Sequence, residues 1–153
     1  MKKKLIILTG PTAVGKTDLS IRLAKTVGGE IISADSMQVY RRMDIGTAKI
    51  RLEEMDGVRH HLIDILEPTE SFNAFLFKEY ALKAANEIWE RGSIPIIVGG
   101  TGFYIQTLLY DVEFAKSDEN DGIRDELNKL YEEHGVAFLH DMLAKVDPEY
   151  AAE

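Results

Sequence analysis

Eight residues near the start of the chain, Gly10-Pro11-Thr12-Ala13-Val14-Gly15-Lys16-Thr17, fit G-x-x-x-x-G-K-[ST]. No other feature of the sequence restricts the fold as much. Glycines at both ends let the backbone curl around an anion, and successive amide N–H groups then point inward. A helix that starts at the loop adds its positive end. Lys16 brings a full charge toward the outer phosphate, and the Thr17 hydroxyl is a hard oxygen ligand suited to Mg2+. The flanks have the form such a loop needs. Lys4-Leu5-Ile6-Ile7-Leu8-Thr9 is a short apolar run that predicts a buried parallel strand. Leu19, Ile21, Leu23, Ala24 and Val27 recur at helical spacing until Gly28-Gly29. All eight loop residues are therefore expected to hold a diphosphate, but the loop alone does not distinguish one phosphate ligand from another.

The rest of the chain extends the alternation. Strands are expected over 30–34, 61–66 and 94–98, and helices over 16–27, 73–91 and 103–109. Phe77, Ala81, Ala84, Ala85 and Ile88 share one helical face and read as core, with Ser71 or Asn73 as cap and Gly92 as stop. Strands alternating with helices predict an α/β fold, a P-loop NTPase-like parallel sheet with flanking helices. Residues 1–110 form this catalytic core in the sequence reading. Residues 111–153 change character: a polar stretch over 117–122, then amphipathic helices over 123–133 and 136–146. They are expected to be the start of a helical insertion that is cut short. No strand ends in Asp-Glu, as motor ATPases require, so a mechanical ATPase or switch GTPase is disfavoured.

Composition limits function by exclusion. With no cysteine among 153 residues, disulfides, thiolate zinc sites and cysteine nucleophiles are ruled out. The lysines at 2–4 precede an apolar run too short for a signal peptide, and no run reaches membrane-spanning length. A cytoplasmic protein with no membrane association is expected. The net charge of −8 is uneven: residues 111–153 hold 13 acidic and 4 basic residues, whereas 1–110 hold 13 and 14. That balance argues against indiscriminate nucleic-acid binding. Arg41, Arg42, Lys49, Arg51 and Arg59 still leave room for a local basic site.

Asp35 follows the second predicted strand. In open α/β sheets the chemistry lies beyond the carboxyl ends of the strands, where the P-loop and Gly99-Gly100-Thr101-Gly102 also emerge. Asp35 is open to two readings, a functional carboxylate or a turn former. Thr101 is either a ligand-facing hydroxyl or a helix cap. His60 and His61 point to opposite faces of a strand and are read as structural rather than metal-binding.

Several segments together resemble one family. Besides the P-loop, Asp35-Ser36-Met37-Gln38-Val39-Tyr40-Arg41, Gly46-Thr47-Ala48-Lys49, His60-His61-Leu62-Ile63-Asp64 and Gly99-Gly100-Thr101-Gly102-Phe103-Tyr104-Ile105 look like the tRNA isopentenyltransferase family. The resemblance covers essentially the whole chain, and the Asp35–Tyr40 segment is its most specific part. It implies transfer of a dimethylallyl group from dimethylallyl diphosphate to N6 of adenosine 37, in the anticodon loop of tRNA. By the same resemblance Asp35 accepts the amine proton and Thr101 assists. Asp35, Ser36, Met37, Gln38, Thr101 and Arg124 contact tRNA, and Thr17 holds Mg2+. Members of the family continue well past the region matched here, so these 153 residues alone are expected to bind diphosphate and to transfer poorly. A monomer is expected. The alternative enzyme is a P-loop kinase for a nucleoside or another small molecule, with Asp35 as base for a hydroxyl.

Overall fold

A computed structural model describes residues 3–110 and 121–152. It divides the chain into two compact units, Met1–Glu113 and Phe114–Glu153. The first unit is built on four parallel strands: β1 (Ile6–Thr9), β2 (Gly29–Ser33), β3 (His60–His61) and β4 (Ile94–Gly99). Their spatial order is β1-β4-β2-β3. Helix α1 (Lys16–Val27) follows the P-loop, α2 (Ala74–Glu90) leads into β4, and α3 (Gly102–Leu109) follows it.

Strand β4, the last in sequence, runs between β1 and β2. Thr9 pairs with Gly99, and Ser33 pairs with Val98. The residues just beyond these rungs are Gly10, Gly100 and Ala34-Asp35, so three separate loops leave the sheet side by side. The central strands are covered on both faces, as parallel strands require. Ile21 and Ala24 of α1 join Ile31, Val58 and Ile96 in one cluster. The alternate residues Ile32 and Ile97 are fully buried and point to the other face.

Helix α2 buries the predicted stripe: Phe77, Ala81, Ala84, Ala85 and Ile88 are all buried. Large side chains such as Phe77 and Ile88 contribute about 2 kcal/mol each by burial. Asn73, rather than Ser71, caps the helix, its side chain accepting from the Leu76 amide at 2.9 Å. Tyr104 stacks on Phe77 with ring centroids 4.6 Å apart, which seats α3 against α2.

The strand expected over 61–66 is shorter. Only His60 and His61 pair with β2, because Leu62 (φ 61°) and Asp64 (φ 55°) both turn into the left-handed region. The backbone then leaves β2 and pairs with a different stretch. Asp64 N donates to Gln38 O, Ile65 N to Val39 O, and Arg41 N to Leu66 O.

In the second unit, α4 (Asp121–Val146) is broken at Gly135, whose φ of 80° and ψ of 177° are not helical. Two helical stretches thus meet where the sequence predicts an interruption. A short 3-10 turn, Tyr150–Ala152, follows, and His140 Nε2 bonds Ala151 O at 3.0 Å. The polar stretch expected over 117–122 falls mostly outside the described residues. No helix among them is long and apolar enough to cross a membrane.

Candidate active site

The P-loop has the backbone its sequence calls for. Gly15 takes φ 86° and Ala13 φ 64°, the second being a left-handed residue that carries a Cβ. Lys16 folds back over the loop, its Nζ donating to Gly10 O at 2.8 Å and Pro11 O at 2.6 Å. Gly99 shows why the neighbouring loop begins with glycine. A Cβ there would lie 2.2 Å from Ala34 O, so only a bare backbone lets β4 approach the chain just before Asp35.

One cavity of about 690 Å3 joins these loops. Lys16, Thr17, Asp35 and Thr101 all line it, as do Thr12, Ala13 and Gly15 of the P-loop and Ser36, Met37 and Gln38. Gly10, Pro11 and Val14 complete the loop without lining it. The structure therefore brings the cation of the P-loop and the strand-end carboxylate to the same space. Arg124 lies in the second unit, exposed on α4.

Asp35 forms a turn and also lines the cavity. Its Oδ1 accepts from Met37 N at 2.8 Å and Gln38 N at 3.2 Å, forming a turn, while the residue faces the cavity. Thr101 sits at the cap position of α3, yet its side chain makes no capping bond; its carbonyl accepts from Tyr104 N and Ile105 N. Thr101 lines the cavity.

The two histidines diverge, as alternation requires. His60 joins the cavity wall, and its Nδ1 lies 2.9 Å from Val58 O, so that nitrogen carries the proton. Burial holds this imidazole below its ordinary 6.5, outweighing the Val58 bond. His61 Nε2 instead contacts Glu30 Oε2 at 2.7 Å on the opposite face. No cluster of three or more His, Cys, Asp or Glu suited to a metal occurs among the described residues.

The basic cluster is largely paired internally. Arg41 and Arg42 both engage Glu67, and Lys49 engages Asp44 and Asp64. Sequence reasoning assigned no site role to Ser33, Thr47, His60 or Ile63, all of which line the cavity. Thr47 and Ile63 lie within segments that carried the family resemblance. Ser33 had only its strand-end position as a signal. Tyr104 stands close by as well: burial, followed by the nearby Tyr40 and Asp35, raises its phenol above the ordinary 10.0.

The fold and cavity define an α/β protein with a parallel sheet, in which the glycine-rich loop and a strand-end carboxylate line one cavity. The IPP transferase family model matches residues 38–153, and the chain belongs to that family. It is 60% identical over 144 residues to the tRNA dimethylallyltransferase of Lachnoclostridium phytofermentans, covering 94% of this chain and 46% of that protein. It is 53% identical over 150 residues to that of Bacillus mycoides, covering 98% and 47%. Among solved structures, the tRNA isopentenylpyrophosphate transferase of Bacillus halodurans superposes with a TM-score of 0.74 at 52% identity, over 99% of this chain and 50% of that one. A eukaryotic dimethylallyltransferase acting on tRNA superposes with a TM-score of 0.84 at 39% identity, over 98% and 37%. The chain spans about half the length of the curated relatives it matches.

Proposed function

We propose that this chain supplies the diphosphate cradle and the proton acceptor of an enzyme that moves a dimethylallyl group from dimethylallyl diphosphate to N6 of adenosine 37 in tRNA. The observation that carries this reading is the single cavity lined by both Lys16 and Asp35. Family membership and the names of the relatives agree with it.

The reaction has two electrostatic demands. Carbon–oxygen cleavage leaves its electron pair on the diphosphate. The adenine amine, a poor nucleophile, must lose a proton as its nitrogen bonds to the allylic carbon. Lys16 answers the first demand by exchanging two neutral carbonyl partners, Gly10 O and Pro11 O, for phosphate oxygens that carry the opposite charge. The P-loop amides and the N-terminus of α1 add to it. Asp35 answers the second by accepting the N6 proton. Thr101, in the same cavity wall, holds the acceptor in line, and Ser36, Met37 and Gln38 read the base, with Met37 the most exposed of the three. Arg124 is assigned to tRNA contact in the second unit.

A Mg2+ ion fits this set only as a partner of the substrate. Thr17 lines the cavity next to Lys16, but the described residues supply no carboxylate cage, so the diphosphate must provide most of the oxygens. Thr17 would hold the ion, whose chemistry there is to neutralise charge on the leaving group. A cytoplasmic monomer completes the proposal.

The test is mass analysis of adenosine in tRNA after incubation of the full-length protein with dimethylallyl diphosphate. Addition of one dimethylallyl unit at N6 is expected. Unmodified tRNA, together with phosphate transfer from labelled ATP to a small acceptor, would replace this reading with the kinase.

A further inference from the structure

Lys49 is the one charged residue in the buried class among the described residues. Its side chain is only 4% exposed. Withdrawing an ammonium from water is unfavourable unless every N–H finds a partner. Here each does: Nζ donates to Tyr40 O at 2.7 Å, Asp44 Oδ1 at 2.8 Å and Asp64 Oδ1 at 2.6 Å. Burial alone lowers the affinity of this amine for its proton. The bonds to Asp44 and Asp64 reverse that and raise it above the ordinary 10.5, so the group stays charged.

The three acceptors come from the 40, 44 and 64 stretches, each of which has a neighbour, Gln38, Thr47 or Ile63, in the cavity wall. Backbone bonds also pair the 40 and 64 stretches, and Lys49 is the one side chain among the described residues that reaches all three. Asp64 N donates to Gln38 O at 3.2 Å. Gln38 Nε2 donates to Thr47 O at 3.2 Å. The amides of Met37 and Gln38 hold Asp35 Oδ1. Around this knot Arg42, Ala48, Leu62 and Asp64 all adopt positive φ without being glycine. Such backbone persists only where tertiary contacts over-determine it.

We propose that Lys49 is a positioning residue: it ties the 40, 44 and 64 stretches together and thereby fixes the Asp35–Gln38 turn and Thr47 against the cavity. The catalytic part of this inference rests on the transfer reaction proposed above. The structural part does not. The P-loop lies outside the knot, so donor binding is expected to be independent of it.

The experiment uses the full-length protein with Lys49→Met, Lys49→Arg and Asp64→Asn. Misplacing a reacting group by about 1 Å costs on the order of 100-fold, so Lys49→Met should lower kcat by about that factor, with the Kd for dimethylallyl diphosphate within about twofold. Lys49→Arg keeps the charge and should recover to within about tenfold of the parent. Hydrogen exchange gives a readout independent of catalysis. In Lys49→Met the amides of Gln38, Asp64 and Ile65 should exchange at least about tenfold faster, with those of β4 unchanged. Unaltered exchange at these amides overturns the proposal whatever the activity. So does a parallel loss of kcat and donor affinity, which marks a general loss of structure. If Lys49→Met does not fold, Asp64→Asn takes its place, stripping the charge from one of the three bonds at a half-exposed site, and unchanged exchange and kcat there overturn it equally. A parent protein that transfers no dimethylallyl group sinks the function reading alone and leaves the exchange result to decide the knot.

Discussion

At the scale of single residues, Asp35 and Glu30 show how one carboxylate chemistry serves two ends. Asp35 uses Oδ1 to close a turn and lines the cavity, so Asp35→Asn keeps an oxygen for Met37 N and Gln38 N but loses the negative charge that the proposed proton acceptance needs. In the full-length enzyme we expect kcat to drop by about 1,000-fold, with donor Kd within about twofold by calorimetry. Unchanged transfer would remove Asp35 from the mechanism. Glu30 is bound to Arg91 through both oxygens, at 3.0 and 2.8 Å, and to His61. The Arg91 hydrogen bond is the largest influence and, with His61, it outweighs burial and lowers the Glu30 pKa below the ordinary 4.5. Because the folded value is the lower one, the stabilisation is full above 4.5 and fades as pH falls through the folded pKa. Glu30→Gln should therefore lower Tm by about 3 °C at neutral pH, and the difference should close at acid pH. A gap that persists at low pH would point to packing in place of charge.

Elements show which parts of the fold local pattern decides. Helix α1 covers the expected residues, and the α2 stripe is buried as its spacing predicted. Both follow from periodicity, which acts within one turn of chain. The strand expected over 61–66 was misjudged because its apolar content is real but its backbone is not extended: Leu62 and Asp64 turn left-handed to meet Gln38 and Val39. That choice is made by a partner more than twenty residues away, and no local propensity encodes it. Strand β4 carries the prediction that belongs at this scale. Gly99→Ala places a methyl 2.2 Å from Ala34 O and must push β4 from β2. Urea unfolding should show a loss of at least about 3 kcal/mol, or no folded protein. A loss under about 1 kcal/mol would mean the strand ends can part without consequence.

For the molecule as a whole, the two compact units and the share of the relatives' length that is covered bear on what this polypeptide does alone. The cradle lies entirely within the first unit, so a polypeptide of these 153 residues should bind dimethylallyl diphosphate. Transfer to tRNA is expected to be at least about 100-fold below that of the full-length enzyme, because acceptor contacts supply the alignment the reaction needs. Full turnover by this polypeptide would contradict that. By itself the sequence determined the P-loop, the strand–helix alternation, the buried stripe and the candidates Asp35 and Thr101, because each is a matter of spacing or of chemistry carried by one short segment. Only the tertiary structure decided that β4 inserts between β1 and β2, that Gly99 allows the contact, and that Lys16 and Asp35 face one space. It also turned the exposed-looking Lys49 into a buried knot. The reason is physical: register and burial depend on contacts between segments distant in the chain, and such contacts exist only once the chain has folded.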